Sequence, residues 1–165
     1  MTTKPEAHSP TTRNQTTVDR RSDCEIAISR SFNAPARLVF DAWTKPDLIR
    51  RWWAPKSSGL VLISCETDVR VGGAYRYEFG RGGSLLMAFF GHYADVTPGS
   101  RLVWTNEESA DGAISTLTLT ETAGKTLLVL SEVYPTKAAL DASIDGMEGG
   151  MPEQFGQLDA LLDAM

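Results

Sequence analysis

The segment TKAALDASIDGMEGGMPEQFGQLDALLDAM, residues 136–165, decides how the rest of the chain can fold. Its apolar residues recur every three or four positions, which places them along one side of an α-helix. They are Leu140, Ile144, Met147, Met151, Phe155, Leu158 and Leu162. The opposite side is acidic, as expected for a helix surface in contact with water. The segment therefore predicts a long amphipathic helix that covers another layer of the domain.

Two glycines and a proline interrupt this pattern at Gly149, Gly150 and Pro152. Proline donates no backbone hydrogen bond, and its ring clashes with the preceding turn. We therefore expect either a kinked helix or a short helix leading into a longer one that begins between Met147 and Pro152. The methionine and phenylalanine on the apolar side are typical of an adaptable surface over a pocket, although such stripes more often pack a core.

Upstream of this helix, polar and apolar residues alternate with a period of two, as in half-buried β-strands. Glycine-rich and proline-containing turns separate the segments, which favours an antiparallel meander. Two short helices are predicted after the first strand, one following Asn33 and Pro35 and the other from Pro46 to Trp53. The predicted strands span about residues 25–32, 60–67, 72–79, 84–96, 101–108, 112–121 and 125–134.

These elements predict an α+β fold. A curved antiparallel sheet of about seven strands has one apolar face that needs a cover. The C-terminal helix is the only predicted element long enough to supply it, so we expect this helix on the concave face of the sheet.

The 165 residues are enough for one domain with a packed core. Residues 1–22 contain almost no aliphatic side chains, so we expect a disordered tail there and a folded domain over residues 23–165. A net charge of −5 without a basic stripe argues against a nucleic-acid partner. No apolar run approaches the ~18 residues of a membrane span, and the start lacks the apolar core of a signal peptide. We therefore expect a cytoplasmic protein.

Several short motifs, in order and over residues 25–163, resemble one known family. It is the family of heat-shock-protein-90 ATPase activator homologues, a branch of the START/Bet v 1-like (helix-grip, SRPBCC) superfamily. The motifs are Phe32-Asn33-Ala34-Pro35, residues 39–44, Pro46, Trp52-Trp53, residues 68–73, Gly91-His92-Tyr93, residues 98–102 and residues 146–151.

This resemblance implies the helix-grip fold, but that fold carries several functions. The superfamily contains lipid carriers, receptors, cyclases and cochaperone domains. We consider three functions: a module that binds a small apolar molecule such as a lipid or polyketide, a cochaperone-like or stress-response domain with a chaperone-type partner, and a polyketide cyclase- or dehydratase-like enzyme. We expect a monomer or a weak dimer.

Catalytic groups are scarce in the sequence. His92 is a weak candidate for a general base, because His8 lies in the predicted tail. Arg76, Glu78, Glu107 and Glu132 lie on predicted strands, but the sequence does not determine which of them face inward. No cluster of histidine or cysteine has metal-ligand spacing, and we expect neither a metal nor a cofactor. An enzyme is therefore the least favoured of the three functions.

Aromatic and methionine side chains are by contrast abundant on the predicted strands and on the C-terminal helix. If they face each other, they would line an apolar pocket with a few phenolic hydroxyls. The alternative is a filled core without a cavity. The sequence does not decide whether the odd- or the even-numbered residues of each strand face inward. The predicted cavity residues are Trp53, Tyr75, Tyr77, Phe79, Met87, Phe89, Trp104, Met147, Met151 and Phe155.

Overall fold

The computed structural model describes residues 15–165, which form eight strands and three α-helices. The strands are β1 (Thr17–Arg20), β2 (Glu25–Phe32), β3 (Val61–Thr67), β4 (Ala74–Arg81), β5 (Ser84–Thr97), β6 (Arg101–Thr105), β7 (Ile114–Thr122) and β8 (Lys125–Val133). The helices are α1 (Ala36–Thr44), α2 (Pro46–Trp52) and α3 (Lys137–Asp163), with a short 3₁₀ helix at Lys56–Ser58.

All eight strands form one antiparallel sheet in the order β1-β2-β8-β7-β6-β5-β4-β3. The strands from β3 to β8 follow one another as a meander, as the turn signals predicted. Register shifts occur between Leu62 and Ser64 in β3 and between Tyr93 and Asp95 in β5. Such bulges bend strands and increase their twist, which suits a sheet that curves around a helix.

Helix α3 packs on the inner face of this sheet and closes the core. Leu140, Phe155 and Leu158 are fully buried, each with 0% of its surface exposed. Helices α1 and α2 follow β2 and contact both α3 and the sheet. This arrangement confirms the predicted α+β helix-grip fold, in which a long C-terminal helix covers an antiparallel sheet.

The helix continues through the interruption at Gly149, Gly150 and Pro152. The predicted alternative of two helices is therefore wrong. The Thr136 side chain caps the first turn by accepting a hydrogen bond from the Ala139 amide. Packing of the apolar side against the sheet outweighs the weak local propensity, as is usual for helices in folded proteins.

The expectation of a disordered tail over residues 1–22 requires a correction at β1. This strand pairs with β2 from Thr17 to Arg20, so it belongs to the sheet. Val18 packs against the core, and the Arg20 guanidinium lies 2.7 Å from the Asp141 carboxylate of α3. The pairing covers the open edge of β2, a tertiary effect that local composition does not reveal. Residues 1–14 lie outside the described part of the chain.

The structure decides which residues of each strand face inward. Tyr75, Tyr77 and Phe79 are buried on β4, and Leu128 and Leu130 are buried on β8. Because side chains alternate between the two faces of a strand, the next inward positions follow two residues later. The inner face thus presents aromatic residues toward β4 and aliphatic residues toward β8.

Candidate ligand-binding cavity

A cavity of about 610 Å³ lies between the inner face of the sheet and the middle of α3. Its sheet side is mainly aromatic. The rings of Tyr75 and Tyr77 lie 5.3 Å apart between centroids, and those of Tyr75 and Tyr93 lie 5.6 Å apart. Trp53, from the end of α2, packs edge-on against Tyr77 at 5.2 Å. These contacts make one side of the cavity a continuous aromatic wall.

The helix side of the cavity is formed by Gly146, Met147, Gly150 and Met151. The two glycines carry no side chain, and a Cβ atom at either position would meet nothing within 4 Å. Gly150, one of the residues that interrupt the helix pattern, is therefore also part of the cavity wall. Methionine beside glycine gives this wall an adaptable shape.

Glutamine and glutamate side chains on the next turns hold α3 against the segment after α2. Gln157 Nε2 donates to the Trp52 and Ala54 carbonyls at 2.9 Å each. Gln154 Nε2 donates to the Trp53 carbonyl, and Glu153 accepts from the Ser57 amide at 3.0 Å. These bonds position Trp53 and Ala54 at the edge of the cavity.

One end of the cavity carries a chain of hydrogen bonds. Asn106 Nδ2 donates to Ser115 Oγ at 3.0 Å, and Ser115 Oγ donates to Glu132 Oε2 at 2.7 Å. The Tyr134 hydroxyl donates to the other carboxylate oxygen, Glu132 Oε1, at 3.2 Å. The Tyr75 hydroxyl lies 3.3 Å from Asn106 Oδ1. The cavity-lining side chains Tyr75, Asn106 and Tyr134 are therefore linked by hydrogen bonds to Glu132, which does not itself line this cavity.

Burial shifts the titration of the groups at this end. It raises the pKa of the Glu132 carboxyl above its ordinary value, and the hydrogen bonds from Ser115 and Tyr134 oppose that rise. Burial also raises the pKa of Tyr75, with the carboxylates nearby adding to the effect. The phenol of Tyr75 is therefore a neutral donor at physiological pH, and the carboxyl of Glu132 takes up a proton more readily than an exposed glutamate.

A smaller cavity of about 110 Å³ adjoins the first and shares several of its walls. Trp43, Trp53 and Trp104 border both cavities. Trp52 and Glu132 border only the smaller one. The half-buried carboxyl of Glu132 thus lies beside a cluster of tryptophans.

Residues 33–163 match the protein family described as Activator of Hsp90 ATPase homolog 1-like protein. The chain belongs to this family. The match spans most of the domain and confirms the resemblance drawn from the sequence motifs. The comparison with curated proteins finds no match.

Solved structures similar to this family member come from several bacteria. A protein from Rhodobacter sphaeroides is 25% identical with a TM-score of 0.83, over 92% of this chain and 99% of that one. A protein from Staphylococcus epidermidis is 26% identical with a TM-score of 0.75, over 90% and 94% of the two chains. Protein NE0264 from Nitrosomonas europaea, 21% identical with a TM-score of 0.78 over 86% and 96%, shares the fold.

The structure brings most of the predicted cavity residues together. Trp53, Tyr75, Tyr77, Phe79, Met87, Phe89, Trp104, Met147 and Met151 line the larger cavity. Phe155 does not, because it is fully buried beneath α3, edge-on to Phe32 at 6.0 Å, and borders only the smaller cavity. That these residues bind a ligand stays a prediction.

The weak catalytic candidate, His92, lies outside both cavities. Its side chain is 53% exposed, and its Nδ1 lies 2.9 Å from Glu107 Oε2. Since Tyr93 on the same strand faces inward, its neighbour His92 must face the other side of the sheet. The arrangement is that of an exposed histidine paired with a carboxylate.

Other cavity residues of this family member were not singled out from the sequence. They include Trp43, Asn106 and Tyr134 in the larger cavity. Glu132, whose side of the sheet the sequence left open, borders the smaller cavity. The alternation of side chains along a strand could have predicted one of them, because Asn106 continues the inward positions of Leu102 and Trp104. This pattern predicts an inward side chain only once it is known which alternate residues of the strand face the core.

Two kinds of site are not found in the described part of the chain. Among residues 15–165, no group of three or more histidine, cysteine, aspartate or glutamate side chains is placed to hold a metal ion. No helix of that same stretch is long and apolar enough to cross a membrane.

Proposed function

We propose that this protein binds a small, largely apolar molecule in the cavity between the sheet and α3. The observation that supports it is the cavity itself, about 610 Å³ in volume with aromatic and methionine walls. Sites for small organic ligands commonly enclose ~300–1,000 Å³ and combine apolar walls with a few polar groups. A lipid- or polyketide-like molecule suits this shape and composition.

An unfilled cavity in the core of a protein is energetically unfavourable. Protein interiors are packed as densely as organic crystals, and an empty space among apolar side chains lowers stability in proportion to its volume. Gly146 and Gly150 keep the space open, where larger side chains would fill it and also favour the helix. Such a cost is expected where a ligand occupies the space.

Binding accounts for this site better than catalysis does. A cyclase or dehydratase needs a proton-transfer group beside its substrate, and His92 lies outside both cavities. Among the described residues that line them, Glu132 is the one charged side chain. A lone carboxyl with two hydrogen-bond donors is better suited to orient a ligand than to form a nucleophile–base pair.

A matched pair of glycine substitutions on α3 tests this proposal. Gly146 lines the cavity, whereas Gly149 does not, and a Cβ atom added at either position would lie in open space. Gly146→Leu should fill the cavity and raise the Kd of the neutral fluorescent probe N-phenyl-1-naphthylamine by about tenfold or more, or ~1.4 kcal/mol. Gly149→Leu should leave the Kd unchanged, as measured by fluorescence titration.

The same titration on His92→Gln should also show an unchanged Kd, because that side chain is on the far face of the sheet. Thermal melting of each variant checks that the fold is retained, and leucine should favour the helix at both glycine positions. Equal affinity of the Gly146→Leu and Gly149→Leu proteins for the probe would contradict binding in the cavity.

A second candidate is a protein-binding function, in line with the family description. An exposed apolar patch on β3 and β5 favours it: Val61, Ile63, Leu85 and Leu86 are 63%, 44%, 55% and 53% exposed. Contiguous exposed apolar residues often mark protein interaction sites. Stimulation of the ATPase rate of an Hsp90-type chaperone by the wild type, lost in Leu85→Asp/Leu86→Asp, would support this function. An unchanged rate with the wild type would contradict it.

A further inference from the structure

The smaller cavity is an aromatic enclosure. Trp43 lies 4.9 Å from Trp52, 5.5 Å from Trp53 and 5.8 Å from Trp104 between ring centroids. All four tryptophans border this cavity, and three of them also border the larger one. A group bound in the smaller cavity would therefore be surrounded by indole rings while its attached body extended into the larger cavity.

The one charged side chain among the described residues of both cavities is Glu132. It occupies an inward position of β8, two residues after the buried Leu130, where an apolar residue would continue the pattern. Ser115 and Tyr134 each donate a hydrogen bond to one of its oxygens. Each carboxylate oxygen can accept a further bond, because a carboxylate offers about four acceptor sites.

This carboxylate has no positively charged neighbour in the cavities. No lysine, arginine or histidine is found among the described residues that line either one. The charged group that shifts the pKa of Glu132 is another carboxylate, Glu108, which raises it. A half-buried carboxylate without a positively charged partner is energetically unfavourable, so a positively charged ligand group would supply the missing counter-charge.

We propose that the cavity selects organic cations, in which a protonated or quaternary amine lies among the tryptophans beside Glu132 and an apolar body fills the larger cavity. This inference rests on the proposed function and adds the charge of the ligand to it. Tryptophan faces attract cations through the negative charge of their π-systems, and Glu132 adds a direct ionic attraction. The net charge of −5 also favours the approach of cations over anions.

Three naphthalene probes of similar size test the inference by calorimetry or tryptophan fluorescence. They are the cation (2-naphthylmethyl)trimethylammonium, its neutral carbon isostere 2-neopentylnaphthalene, and the anion 2-naphthylacetate. The cation should bind the wild type about 30-fold more tightly than the isostere, or ~2 kcal/mol, to which the aromatic rings and the Glu132 carboxylate both contribute. The anion should bind more weakly than either.

Glu132→Gln keeps the shape of the side chain and removes its charge. In this variant the preference for the cation over the isostere should fall about tenfold, while the affinity for the isostere stays the same. Glu107→Gln is the matched control, since it removes one acidic charge from an exposed residue on the other face of the sheet. Its preference should equal that of the wild type.

The outcomes separate this inference from the proposed function. Equal affinity of the wild type for the cation and the isostere would overturn the inference while the cavity remained a site for apolar molecules. A preference that persists unchanged in Glu132→Gln would also overturn it. Failure of all three probes to bind would overturn both, whereas a preference lost only in Glu132→Gln supports both.

Discussion

Replacing Leu158 by alanine is expected to lower the free energy of unfolding by about 3–5 kcal/mol. Leu158 is fully buried on the side of α3 that faces the sheet, and it belongs to the same apolar core as Phe155 and Leu162. Truncation removes buried methyl groups and leaves a space that the surrounding core fills only in part. Chemical denaturation of the wild type and the variant measures the difference.

Met151→Ala is the control for this prediction. Met151 lies two turns earlier on the same helix, but it is only partly buried and borders both cavities. Its side chain already faces open space, so its loss should cost about 1–2 kcal/mol, less than a close-packed residue. Equal and large losses at Leu158 and Met151 would show a filled core and contradict the cavity.

Gly91→Ala is expected to lower the free energy of unfolding by about 3 kcal/mol or more. A Cβ atom at Gly91 would lie 2.1 Å from the carbonyl oxygen of Thr105 at the end of β6. That oxygen belongs to the backbone and also accepts a hydrogen bond from the Tyr75 hydroxyl at 2.7 Å. The strands must therefore separate, and the aromatic wall of the cavity should move with them.

Gly149→Ala is the comparison for this second prediction. A Cβ atom at Gly149 would meet nothing within 4 Å, and alanine favours a helix over glycine by about 1 kcal/mol. This variant should therefore be as stable as the wild type or slightly more stable. A stable Gly91→Ala protein would contradict the close approach of β5 and β6 at Thr105.

Much of the fold could be predicted from the sequence because it rests on local periodicity. The observed strand β2, Glu25–Phe32, lies where the alternation of apolar residues begins, and α3 begins at Lys137, next to the start of the predicted helical segment at Thr136. The turns between strands follow the glycine and proline signals. These features depend on neighbouring residues, so the chain itself carries the information.

Predictions that depended on distant partners were less successful. Strand β1 is held by pairing with β2 and by the contact of Arg20 with Asp141 on α3, more than a hundred residues away along the chain. The continuity of α3 through Pro152 likewise depends on contacts with the sheet and α2. Neither effect is visible in the local sequence, because each arises only after the layers have packed together.

The candidate site likewise has features that the sequence predicted and features that only the tertiary structure decided. Aromatic residues on alternate strand positions and methionines on one helix side already predicted the apolar walls, because side-chain periodicity follows from backbone geometry. The tertiary structure decided which alternate residues of each strand face inward. It thereby placed Glu132 at the smaller cavity and His92 on the outer face of the sheet. A shift of one residue exchanges the two faces of a strand, so only the packing of the sheet against α3 could choose between them.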